Sequence, residues 1–210
     1  ASSIYTNQNT ILFNTVFRLK QDALDKTVYD YTFWDEFYEF VNKVDEEWAA
    51  RNVLTVLTSF NIDYLSVYNK EKKKVFDASN IQKNKITIAI PEKAFDIVEQ
   101  TNNVFHFFLI EGKNLYEISG ATIHKSEDME RKQEHSGFFF LVNNWNNDFL
   151  KEFETITSYK ILISDVDTPV NVNGTVIVMK FLNDYTGKPL KKMIVYNQNK
   201  IMTKLQQSFL

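Results

Sequence analysis

"NIDYLSVYNKEKKKVFDA", residues 61–78, is where the periodicity of this chain changes, and the change decides the fold class. Upstream, apolar residues recur every three to four positions. Here they alternate. A period of two sends successive side chains to opposite faces of a strand, whereas a three-to-four spacing marks one face of a helix. The stretch reads as two strands, 62–69 and 73–78, joined by a tight polar turn at Asn69 to Lys72. Strands joined by a tight turn run antiparallel, because a parallel pair needs a crossover of a dozen residues or more. A doubly wound parallel sheet is thereby excluded, and the class expected is α+β.

Working toward the N-terminus, residues 4 to about 59 contain no Gly or Pro and read as helix. Ile4, Ile11, Leu12, Val16, Leu19, Ala23 and Leu24 keep the three-to-four spacing, and seam-like spacing of this length suits a packing or dimerising helix. A break is expected near Lys43 to Glu47, before a second helix over "WAARNVLTVLTSF". Within the first helix, "YDYTFWDEFYEFV" (29–41) crowds aromatic rings between acids. Drawn as continuous helix, it places Asp30, Trp34 and Tyr38 on one face and Phe33, Phe37, Phe40 and Val44 on another. Two readings follow. The rings are core, with Trp34 buried against the sheet, or Asp30, Trp34, Asp35 and Tyr38 form a polar-aromatic surface that meets the sheet or a ligand.

Toward the C-terminus, "KITIAI" (85–90) reads as a short strand and Pro91 opens a helix, a position that suits proline. Residues 104–124 read as a hairpin turning at Gly112, 125–134 as a charged loop, and "SGFFFLVNN" as a strand. A helix over 145–158, a strand at "YKILIS" and a last hairpin around Thr186-Gly187 complete the pattern. The division expected is a helical segment, 1–59, a sheet-containing core, 60–200, and a tail, 201–210.

Composition narrows the function. With 24 basic against 27 acidic residues, spread evenly, the chain shows no basic footprint for nucleic acid. The absence of cysteine removes disulfides, thiolate metal sites and Cys nucleophiles. No apolar run approaches the roughly 18 residues of a membrane span. The chain begins at Ala1 rather than Met, so it is expected to be a piece of a longer protein.

Catalytic patterns are weak. His106, His124 and His135 form no i,i+4 pair and no H-E-x-x-H helix. His124 and His135 flank the acids Glu127, Asp128, Glu130 and Glu134, where a solvated loop is favoured over a metal site. "DVDTPVNVNG" (165–174) fails as a calcium loop, with Val170 where Gly is required and Val176 where a bidentate Glu is required. No nucleophile elbow, phosphate loop or dinucleotide fingerprint occurs. No metal, no cofactor and no enzymatic activity are expected within these residues.

The helix 30–41, with Asp30, Trp34, Asp35, Glu36, Tyr38, Phe40 and Val41, resembles the D-x-x-x-W-D-[DE]-x-Y-x-[FY]-V helix of the CHASE-type (cyclase and histidine-kinase associated sensory extracellular) domains, class four. Asn52 to Leu54, then Ile62, Asp63 and Val67, are similar to the segments that follow in that family. "KFLNDYTGKPLKKMIV" is similar to the closing hairpin of extracytoplasmic PAS-like sensors. The first hairpin turn and "NNWNND" depart from the family pattern.

The resemblance implies a long N-terminal helix followed by a PAS/Cache-like antiparallel sheet with flanking helices, outside the cytoplasmic membrane. It implies a membrane-tethered bacterial or archaeal receptor that senses an unknown small molecule. Its output would be a histidine kinase, a cyclic-dinucleotide enzyme or a chemotaxis-type domain. A secreted binding or interaction module without signalling output is the alternative. A homodimer through the N-terminal helix is expected. The pocket is expected between the 62–78 hairpin, the 92–101 helix and the 104–124 hairpin, with Tyr64, His106 and Tyr116 as polar tips among apolar walls. His106 lies in a strand apolar on both faces, so a core histidine remains the competing reading.

Overall fold

A helix of 30 residues, α1 (Ser2–Tyr31), opens the computed structural model, which describes residues 2–198 and, for side chains, residues 8–198. The helix stops at Thr32. In a continuing helix the Thr32 carbonyl would accept the amide four residues on. It accepts the His124 amide at 2.8 Å instead, and the Thr32 hydroxyl donates back to the Tyr29 carbonyl at 3.0 Å. The chain restarts as α2 (Asp35–Asn42), with Trp34 extended at its N-cap. Helices α3 (Glu46–Asn52), capped by the Asp45 carboxylate, and α4 (Thr55–Ser59) follow.

The expected break at 43–47 is present, but an earlier one, between Tyr31 and Asp35, interrupts the helix read from residue 4. Asp30, Trp34 and Tyr38 therefore do not share a helical face. Asp30 is exposed. Trp34 is half-buried at the margin of the core, beside the rings of Trp48 (5.0 Å) and Tyr31 (6.1 Å). Phe37 is fully buried and edge-on to Phe139 of the sheet at 5.1 Å, and Phe40 meets Phe76 at 5.6 Å.

The described residues divide into two compact units. One lies within 21–144 and holds a five-stranded antiparallel sheet of β1 (Tyr64–Asn69), β2 (Lys74–Ser79), β3 (Phe105–Glu111), β4 (Asn114–Ile123) and β5 (Gly137–Asn144). The strand order is β2-β1-β5-β4-β3. Alternation gives the sheet two apolar faces. Leu65, Val67, Phe139, Leu141, Ala121 and Ile123 meet Leu24 and Val28 of α1 and the rings of α2. Tyr68, Phe138 and Phe140 point the other way, onto Phe95 of α5 (Glu92–Thr101), with ring centroids 4.9 to 5.4 Å from it. Gly120 lies opposite Phe140 in register, and a Cβ there would stand 2.2 Å from the ring.

"KITIAI" forms no strand. Residues 85–90 are held to the sheet by side chains: the Ser79 hydroxyl donates to the Ile86 carbonyl at 2.6 Å and accepts the Ile86 amide at 3.0 Å. The 125–134 loop is not solvated throughout, since His124, Asp128 and Arg131 are buried.

The second unit, within 1–20 and 145–210, contains α6 (Asn147–Thr157) and a sheet of β6 (Lys160–Ser164), β7 (Gly174–Asn183) and β8 (Pro189–Gln198), in the order β6-β8-β7. Phe13 and Phe17 of α1 pack with Phe153 and Trp145 in its core. The single core drawn over 60–200 is thus two sheets with no ladder between them, and helices drawn as a separate segment belong to both units. The 201–210 tail lies outside the described residues.

Candidate functional site

In the five-stranded unit, a cleft of about 460 Å³ opens on the sheet face turned away from α1. Tyr68 of β1 and Phe95 of α5 supply rings, and Ile88 and Ile90 of the extended segment add aliphatic walls. Lys72 and Lys74 come from the first hairpin and Glu92 from the start of α5. Lys72 takes positive φ (61°) in the turn, which carries its side chain across to Asp96 at 2.5 Å. That hydrogen bond raises the Lys72 ammonium above its ordinary pKa.

Tyr64 lies next to this cleft without lining it. Its hydroxyl donates to Asp77 Oδ2 at 2.6 Å and also bonds the Ile88 backbone. Burial, then the Asp77 carboxylate, pushes its phenol far above the ordinary range. The same carboxylate accepts from Lys74 at 2.8 Å. Tyr64 thereby ties the extended segment, β2 and a lining lysine together. Tyr116 is on the same sheet face by register but beyond β5, and it is buried. Burial raises its phenol too. His106 is on the opposite face, toward α1, where its Nε2 meets Glu117 Oε1 at 2.8 Å. The structure thus brings Tyr64 to the cleft's edge and leaves Tyr116 and His106 apart from it.

Of the aromatic-helix residues, Asp35 accepts the Ser126 amide at 2.7 Å and its hydroxyl at 3.0 Å, which holds the carboxyl below its usual range. Tyr38 donates to the Glu134 carbonyl at 3.3 Å. Both fasten the 125–134 loop; neither lines the cleft. Sequence reasoning missed Phe95, Ile88 and Lys72. The amphipathic helix opened by Pro91 and the apolar alternation of 85–90 were the available signals.

Thr122, His124 and Asp128 have the hydrogen-bond order of a hydrolytic triad. Thr122 Oγ1 is 2.9 Å from His124 Nε2, and His124 Nδ1 is 2.7 Å from Asp128 Oδ2. Thr122 is only 2% exposed, so no substrate reaches its hydroxyl. Among the described residues, no group of three or more His, Asp or Glu side chains is placed to hold a metal.

Residues 16–164 match the model of the CHASE4 domain. The chain belongs to the CHASE4 domain family. This CHASE4 domain is also similar in fold to the periplasmic domain of Vibrio cholerae LuxQ, with a TM-score of 0.54 and 11% identity over 92% of this chain and 100% of that one. The ligand-binding domain of the Pseudomonas aeruginosa amino acid chemoreceptor PctC, in complex with GABA, gives a TM-score of 0.54 at 7% identity, covering 94% and 100%. The sensory domain of the Campylobacter jejuni chemoreceptor Tlp3, with isoleucine bound, gives 0.50 at 9% identity, covering 96% of each chain. No curated protein matches. The domain senses ligand on the extracytoplasmic side of the membrane, and no helix among the described residues is long and apolar enough to cross one.

Proposed function

We propose that a small molecule binds in the Tyr68–Phe95 cleft and that this binding is the input of a membrane-tethered receptor. The observation that carries the reading is the cleft itself: about 460 Å³, with ring and aliphatic walls and a few charged groups, the mixture small-molecule sites use. The bound GABA and isoleucine of PctC and Tlp3 support a ligand of amino-acid size. A histidine kinase, a cyclic-dinucleotide enzyme or a chemotaxis-type domain would carry the output, and the domain itself would carry no reaction.

We place a homodimer contact on α1. Leu12 and Leu19, seven residues apart, are 56% and 58% exposed, and Ile11 is 59% exposed. Spacing by seven puts Leu12 and Leu19 on one seam of a helix pair. Ile4, expected on the same seam, lies outside the residues with described side chains.

The cleft is tested by a thermal-shift screen of amino acids and γ-aminobutyrate on the wild type and on Thr87→Trp. Thr87 is exposed and lines the cleft, so an indole there fills the space without entering the core. A ligand should stabilise the wild type and lose at least tenfold in affinity for the variant. Equal binding to both proteins would move the site elsewhere.

A further inference from the structure

The walls of the Tyr68–Phe95 cleft are apolar, but its rim carries charge, and that charge does not balance. Lys72 and Lys74 line it, and each ammonium is already held by a carboxylate from outside the lining: Asp96 at 2.5 Å and Asp77 at 2.8 Å. Lys70, beside them in the turn, is held by Glu134 at 2.5 Å. Glu71 and Glu92 complete the charged lining. Both are exposed, and neither has a hydrogen-bond or ion-pair partner among the described residues. Their charges act on lysines that are already taken, Glu71 on Lys70 and Glu92 on Lys72.

Helix α5 adds to the excess. Glu92, Asp96 and Glu99 recur at four and then three residues, which puts them on one face. Like charges at that spacing destabilise a helix, and Lys72 is the ammonium on which all three act. Lys85 acts on Asp77 alongside Lys74, yet the carboxylates around the cleft still outnumber the ammonium groups. Lys73 and Lys93 are exposed and outside the lining. The same sheet face also holds an unmatched polar group. Ser66, two residues along β1 from Tyr68, is fully buried, and its hydroxyl has no partner among the described residues.

We propose that the ligand sensed in the cleft is a small organic cation, an amine with an apolar body and no carboxylate. The assignment rests on the cleft being the ligand site and adds the ligand's charge. The ammonium faces the Glu71 and Glu92 carboxylates, and the body packs on Tyr68, Phe95, Ile88 and Ile90. An ammonium over either ring gains a cation–π attraction as well. An α-amino acid of the same size would bring a second charge, a carboxylate, to a rim already in carboxylate excess. To receive it, Lys72 or Lys74 would have to leave its present partner, and the carboxylate left behind would stand unpaired.

Isothermal titration of the 210-residue chain with two matched sets of compounds tests this. Isopentylamine, leucine and 4-methylpentanoate share a branched body under a positive, a zwitterionic and a negative head. Phenethylamine, phenylalanine and 3-phenylpropanoate do the same for a ring. At least one amine should bind at least tenfold more tightly than its amino acid and its acid. Glu71→Gln with Glu92→Gln should abolish that preference; both side chains are exposed, so an unchanged unfolding midpoint is expected of the double variant. An amino acid or acid that binds as tightly as the matched amine would overturn the proposal. So would an unchanged preference in the double variant, or no binding by either amine at millimolar concentration. Amide shifts separate this failure from that of the cleft. An amino acid or acid that binds best and moves the Tyr68 and Phe95 amides refutes the charge assignment and leaves the cleft standing. An amine that moves only amides elsewhere contradicts both.

Discussion

Arg131 donates from its guanidinium to the Thr32 hydroxyl at 2.8 Å, joining the elbow between α1 and α2 to a loop 99 residues later. The same guanidinium bonds the Thr122 carbonyl and lies 4.3 Å over the Phe33 ring. Burial lowers its pKa to about 10, so it keeps its charge at neutral pH. Arg131 itself sits at positive φ (50°), a conformation sustained by these contacts.

Arg131→Met should therefore destabilise the domain by about 2–4 kcal/mol, because it removes charge-assisted bonds and leaves buried acceptors unpaired. Urea unfolding measures it. A loss under about 0.5 kcal/mol would mean that the elbow holds without the guanidinium.

The two rings of the aromatic helix should separate by burial. Phe37→Ala should cost about 3–5 kcal/mol, as large core truncations do. Trp34→Ala should cost clearly less, because Trp34 is only half-buried, at the margin of the core. Paired denaturation curves decide it, and equal losses would contradict the placement of Phe37.

Gly120→Ala should displace the Phe140 ring, since the added Cβ meets it at 2.2 Å. Overpacking of this kind costs about 1–3 kcal/mol. Phe140→Leu should restore much of that loss in the double variant, which a double-mutant cycle reads directly.

His124 should stay neutral through mildly acid pH. Burial lowers its pKa, with Arg131 nearby acting the same way, against the Asp128 hydrogen bond. The unfolded chain binds that proton more readily, so this residue's contribution to stability is lost as pH falls below about 6.5. Imidazole NMR measures it, and a His124 midpoint above 6.5 would contradict the assignment.

Sedimentation tests the α1 seam. Leu12→Asp with Leu19→Asp should shift the chain toward monomer at concentrations where the wild type self-associates. A wild type that stays monomeric at millimolar concentration would remove the seam.

What was legible in the sequence was local. The period of two over residues 61–78 marks β1 and β2 whatever packs on them, and the tight turn at Asn69 to Lys72 dictates an antiparallel pair. The stop at Thr32 was hidden because its causes, His124 and Arg131, arrive about ninety residues later. "KITIAI" has a strand's alternation, yet Ser79 and Tyr64 bind it by side chains, so periodicity alone misnamed it. The division into two sheets was invisible for a related reason: a strand's period does not say which sheet it joins. The face of His106 was open because β3 is apolar on both sides, and only the polar partners on α1 decide it.

Sensing, as proposed, depends on ligand entering the Tyr68–Phe95 cleft. Amide chemical-shift mapping of the ¹⁵N-labelled domain, titrated with the strongest stabilising compound from the amino-acid screen, tests it most directly. The largest changes should fall at Tyr68, Lys72, residues 87–90 and Phe95, and be absent in Thr87→Trp. Changes centred on the Trp34 to Tyr38 surface, or within the 145–198 unit, with the cleft amides unmoved, would contradict it.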